Sequence, residues 1–78
     1  MVTKEELRAM RNASPFVPFI IHTSRGEAVH VHRPGLILAA SSAPHVIVKE
    51  PKGELHFIGL EFITSVEEEP ATPSQTSN

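Results

Sequence analysis

Between Phe16 and Val66, short runs of β-branched and aromatic residues are cut by a turn signal roughly every ten residues, a rhythm too short for packed helices and suited to a series of short strands. Phe19-Ile20-Ile21-His22-Thr23 and Glu27-Ala28-Val29-His30-Val31-His32 are separated by Ser24-Arg25-Gly26. That spacing predicts a hairpin with a three-residue loop and Gly26 in the left-handed conformation, which residues with a Cβ avoid. Closing the loop with Thr23 opposite Glu27 sets Ile21 opposite Val29 and Phe19 opposite Val31. One face is then apolar, and the other carries Ile20, His22, Ala28, His30 and His32.

Further along, Pro34-Gly35 breaks the chain before Leu36-Ile37-Leu38-Ala39-Ala40, a run without alternation that predicts burial on both faces. His45-Val46-Ile47-Val48-Lys49 and Leu55-His56-Phe57-Ile58 flank Glu50-Pro51-Lys52-Gly53-Glu54, where Pro at the second position and Gly at the fourth suit a type I turn with Gly53 left-handed. Both strands of this second hairpin are apolar enough that either face suits a core. Gly59 marks a bend, and Leu60 to Val66 makes a last strand. Ahead of all this, Thr3 and Glu6 form the T-x-x-E capping box with Val2 and Leu7 at the staple positions, so a helix is expected over residues 3–12, ended by Ser14-Pro15. Its apolar stripe, Leu7 and Met10, is narrow, so the helix must lie on another element to be stable.

The chain of 78 residues is long enough for a single domain. The expected division is a β-rich domain with an N-terminal helix over 1–66 and a disordered acidic and polar tail over 67–78, which has no residue able to anchor a core. The fold class is mainly β (α+β): a helix followed by a small five- to six-stranded antiparallel β-barrel or β-roll, SH3-like or Sm-like in size and element order. A domain this small buries only about 60% of its unfolded surface, so an oligomer or a larger assembly is expected to complete its stability.

Leu7, Pro15-Phe16-Val17-Pro18-Phe19, Ile21-His22, Gly26 and Val31-His32-Arg33-Pro34 together resemble a group of short bacterial proteins whose pattern is a helix, a PF-x-PF segment, an alternating strand with a Gly turn and a V-x-H-P stop. The likeness covers roughly residues 7–37 and departs from the pattern at Arg25 and Arg33, where that family commonly has Asp and His. It implies a bacterial source and a domain of unknown function, with no catalytic residue to carry over.

Composition excludes several chemistries. Without cysteine there is no thiolate nucleophile and no Cys-ligated zinc or iron–sulfur centre. Neither a P-loop nor a G-x-G-x-x-G is present. Ser41 and Ser42 precede His45 without a nucleophile elbow or a third group to orient the base, and Glu54 with Glu61 makes only a weak carboxylate pair, so no catalytic residue and no cofactor are expected. The acidic residues flanking the start and the short apolar runs argue against an export signal and a membrane span, and a cytoplasmic location is expected.

His22, His30 and His32 are the candidate metal ligands, because the hairpin places three imidazoles on one face; the simpler reading is three solvated strand residues. Arg25, His30, His32, Arg33 and Lys52 form a modest basic patch if both hairpin tips point the same way, with Phe16 to stack a base. Against an RNA partner stand the missing Tyr and Trp and the near balance of charge before Glu67. The expected function is a non-enzymatic interaction or assembly module, joined to a protein partner or a second copy through Phe16, Ile20, Arg25 and Arg33; Sm-like RNA binding or histidine-based metal binding is the alternative.

Overall fold

The computed structural model describes residues 2–40 and 42–69. Helix α1 spans Lys4–Arg11 and starts as the capping box dictates: Glu6 N–H donates to the Thr3 hydroxyl at 3.2 Å and Thr3 N–H to the Glu6 carboxylate at 2.8 Å. Strands β1 (Phe19–Thr23) and β2 (Ala28–Val31) pair in the expected register, Phe19 opposite Val31 and Ile21 opposite Val29. Strand β3 (Ile37–Leu38) follows a 3-10 turn at Pro34–Leu36; β4 (His45–Lys49) and β5 (Leu55–Gly59) form the second hairpin. A second 3-10 turn at Leu60–Phe62 leads into β6 (Ile63–Glu68).

The two hairpin turns are built alike. Gly26 N–H donates to Thr23 O at 3.0 Å and Thr23 N–H to Glu27 O at 3.0 Å; Gly53 N–H donates to Glu50 O and Glu50 N–H to Glu54 O, both at 2.8 Å. Gly26 and Gly53 have φ of 86° and 102°, so a Cβ at either would strain the turn. After each hairpin come a 3-10 turn and a third strand, and that third strand leaves its own hairpin: β3 pairs with β4, and β6 with β1. The result is two three-stranded antiparallel sheets, β2-β1-β6 and β3-β4-β5, each completed by a strand from the other half.

The sheets do not close into the barrel considered from sequence. Between β2 and β3 the backbone turns through Pro34–Leu36, where proline lacks a donor, and β3 is only two residues long, so no ladder continues from one sheet to the other. Instead the inner faces meet in one core: Phe19, Ile21, Val29 and Val31 from the first sheet, Ile37, Val46, Val48 and Ile58 from the second, with Leu7, Ala39 and Ile63. Helix α1 adds Leu7, which is fully buried, and is fastened by its cations: Arg8 Nε donates to Ala39 O at 3.0 Å, and the buried Lys4 ammonium donates to Ala40 O and Ala43 O.

Two further expectations change. The Leu36–Ala40 run is not buried on both faces: Ile37 and Ala39 face the core while Leu38 is exposed, because only the inner face of this sheet packs against the other sheet. The boundary at Val66 moves too. Strand β6 runs through Glu68, and Glu69 N–H donates to Pro18 O at 2.8 Å, so backbone pairing with β1 carries glutamates 67–69 into the domain. Residues 70–78, the rest of the expected tail, lie outside the described residues. No helix among the described residues is long and apolar enough to cross a membrane.

Candidate functional site

The second sheet carries a solvent-facing apolar row. Register places Leu38 of β3 beside Ile47 of β4, and Ile47 beside Phe57 of β5, so the row crosses all three strands. Alternation sends these side chains outward, since Val46, Val48 and Ile58 between them point into the core. Leu38 is 58% exposed, Phe57 66% and Leu55, in the neighbouring row opposite Lys49, 56%. On the other flank the His45 ring lies 6.0 Å from that of Phe57. Phe62, 44% exposed, extends the surface past Gly59, where an added Cβ would come within 3.1 Å of the Phe62 ring; glycine lets the ring lie over the backbone. A cleft of about 150 Å³ separates Phe57, Gly59 and Phe62 from Thr23, Arg25 and Glu27 of the first turn.

This arrangement inverts the pattern of the strand. In Leu55-His56-Phe57-Ile58 the two large residues Leu55 and Phe57 face solvent, and His56 takes the half-buried side. The register follows from the closing pair Glu50/Glu54 of the turn, which puts His56 opposite Val48. A strand that turns its aromatic outward, with only the His45 ring against it, departs from the usual agreement between pattern and fold.

The outer face of the first sheet is different in kind. His22, Ala28 and His30 lie there as expected, with Ile20 between His30 and Glu67. The His22 Nε2 hydrogen bonds the Glu67 carboxylate at 2.6 Å, and the His30 Nδ1 that of Glu69, also at 2.6 Å. His32 stacks on His30 with 5.8 Å between ring centres. Two of the three proposed metal-ligating histidines are thus each tied to a separate carboxylate. Glu67 and Glu69 are the residues that sequence reasoning missed; their alternation with Ser65 along a strand is the signal, hidden by the run of three glutamates.

The other proposed contact residues are dispersed. Phe16 packs on the core, its ring 6.0 Å from that of Phe19, and is not free to stack a base. Arg25 and Arg33 are exposed beyond opposite ends of β2. Arg25 adjoins the Gly59 end of β5 while Lys52 lies in the turn before Leu55, so the two hairpin tips do not point the same way and the basic patch does not assemble. Glu54 and Glu61 are likewise at opposite ends of β5. Ile20 is not under α1: the helix shares the inner core with Phe19 and Ile21, on the other face of β1. Ser42 is exposed, and Ser41 lies outside the described residues.

No protein-family model matches the chain, and no curated protein or solved structure shows significant similarity to it.

Proposed function

We propose that this chain is a non-enzymatic assembly module whose second sheet docks, outer face to outer face, on a second copy of itself. The observation that carries this reading is the outward-facing row Leu38–Ile47–Phe57, in which Leu38 and Phe57 are exposed and Ile47 half-buried. With Leu55 and Phe62 it amounts to on the order of 400 Å² of apolar surface, at the size of the largest patch on an ordinary monomer. A stable interface needs about 800 Å² per partner, so the patch supplies its apolar centre and the polar surround the rest.

A second copy suits that surround because the patch carries opposite charges at its two ends. Lys49 lies at the end next to the second turn; Glu61 lies beyond Gly59 at the other, and Arg25 and Glu27 of the first turn offset each other nearby. A two-fold axis along the Leu38–Ile47–Phe57 row lays Phe57 on Phe57 and Leu38 on Leu38, and brings the Lys49 end of each copy over the Glu61 end of the other. A uniformly charged partner would be repelled at one end.

Sedimentation of the full chain across a concentration series tests the reading. Lys49→Glu and Glu61→Lys, each alone, are expected to weaken self-association by about fivefold, and the double reversal to restore it. A wild-type chain that stays monomeric at about 1 mM, or single reversals without effect, overturns it.

A further inference from the structure

We infer that the second hairpin carries a binding site for a first-row divalent cation of the Zn²⁺ type, formed by Glu50, Glu54 and His56. This site is separate from the histidine face of the first sheet and from the apolar docking face. Among the described residues, these three are the group whose donor atoms converge, all lying within 4.8 Å of one another.

The turn geometry accounts for the convergence. Glu50 and Glu54 close the loop and stand directly opposite, and His56, two residues on, points to the same face of the ribbon, which is the face of Val48 and Ile58. Two like charges facing each other across a hairpin are unfavourable, by up to roughly 1 kcal/mol where an unlike pair would contribute as much. His56 Nε2 hydrogen bonds the Glu50 carboxylate at 2.9 Å and so relieves one of them; a Glu54 carboxylate oxygen lies within 4.8 Å of both, and among the described residues it forms no ion pair. A divalent ion between the three answers both carboxylates at once.

The donor set and spacing also select the ion. One imidazole nitrogen with two carboxylates favours borderline ions such as Zn²⁺ over Ca²⁺ or Mg²⁺, which prefer oxygen alone. Zinc bonds of about 2.0–2.1 Å in a tetrahedron put ligand atoms about 3.3 Å apart. The Glu50–His56 separation of 2.9 Å is already near that figure, and the exposed Glu54 carboxylate closes the remainder by a change of rotamer. Glu50 and His56 are half-buried, so the ion sits against the sheet with water in its remaining position. The imidazole binds in its neutral form, and any proton it holds is released.

The test is calorimetric titration and thermal melting of the untagged full chain with Zn²⁺ alone, repeated for His56→Gln, Glu54→Gln and His30→Gln. One ion is expected to bind per chain and raise Tm. His56→Gln and Glu54→Gln are expected to weaken binding by about tenfold or more, with His30→Gln as wild type. Glu54 is exposed, so its variant folds even if His56→Gln does not, and the His56 ring resonances should shift on titration. No change in Tm up to about 1 mM Zn²⁺, or binding lost in His30→Gln but kept in Glu54→Gln, overturns the site. A simple His56–Glu50 ion pair predicts that Zn²⁺ has no effect and Glu54 is dispensable, and that result overturns it equally.

Discussion

The two sheets are built to one plan and finished in opposite ways, as their central rows show. In the first sheet the outer row reads Glu67–Ile20–His30 across β6, β1 and β2; in the second the equivalent row reads Leu38–Ile47–Phe57 across β3, β4 and β5. Each has isoleucine on the central strand. The third strand makes much of the difference: β6 is six residues long and brings Glu67 and, beyond it, Glu69 within reach of His22 and His30, whereas β3 is two residues long and contributes only Leu38. One face pairs its histidines with carboxylates of its own chain, and the other is left apolar.

The largest effect tests what the sheets share. Ile21 and Val48 occupy equivalent inward positions on β1 and β4, both without measurable exposure, and both belong to the single core. Ile21→Ala is expected to lower stability by about 3 kcal/mol and Val48→Ala by about 2, each shifting one cooperative unfolding transition in urea. Two separate transitions would show that the sheets are independent units.

A smaller effect follows from giving the second face the chemistry of the first. Leu38→Glu with Phe57→His converts the apolar row into its counterpart and is expected to weaken self-association by about a hundredfold, with Tm at low concentration changing little. Both residues are more than half exposed, so folding depends on them little. If sedimentation shows dimers of undiminished affinity, the docking face lies elsewhere.

Least affected should be the charged face itself. Glu67→Gln removes the carboxylate that pairs with His22, an interaction whose side chains are 34% and 61% exposed, so the expected loss is about 0.5 kcal/mol or less and self-association should be untouched. A Glu67→Gln chain that loses its dimer would reverse the assignment of the two faces.

The parts of this molecule that were legible in sequence are those governed by neighbours in the chain. Thr3 and Glu6 mark the helix start within one turn, and the Thr23-to-Glu27 loop determines which of Ile20 and Ile21 faces inward. The second hairpin resisted the same reasoning because residues 45–48 and 55–58 carry large apolar groups on both faces, and only the pairing with β3 and the shared core decide which stays dry. Glu67 and Glu69 read as the start of a tail because their partners, His22 and His30, are 45 and 39 residues away. The Glu50–Glu54–His56 group is illegible for another reason: its spacing is inconspicuous beside that of His-x-His, and the three side chains converge only once the turn is closed.

The reciprocal placement of the third strands has a consequence for how the chain reaches this structure. Neither half contains a complete sheet, so the first hairpin must wait for β6, which leaves the ribosome after every other described strand, while β4 and β5 can join β3 as soon as they emerge. Joining β1 to β6 pairs Thr23 with Ile63 and Phe19 with Glu68, the longest chain closure of any strand pair here, and its entropic cost is met before its contacts form. Until then the inner side of Phe19 and Ile21 lacks one flank, and the nascent chain can recruit the same strand from a neighbour in place of its own.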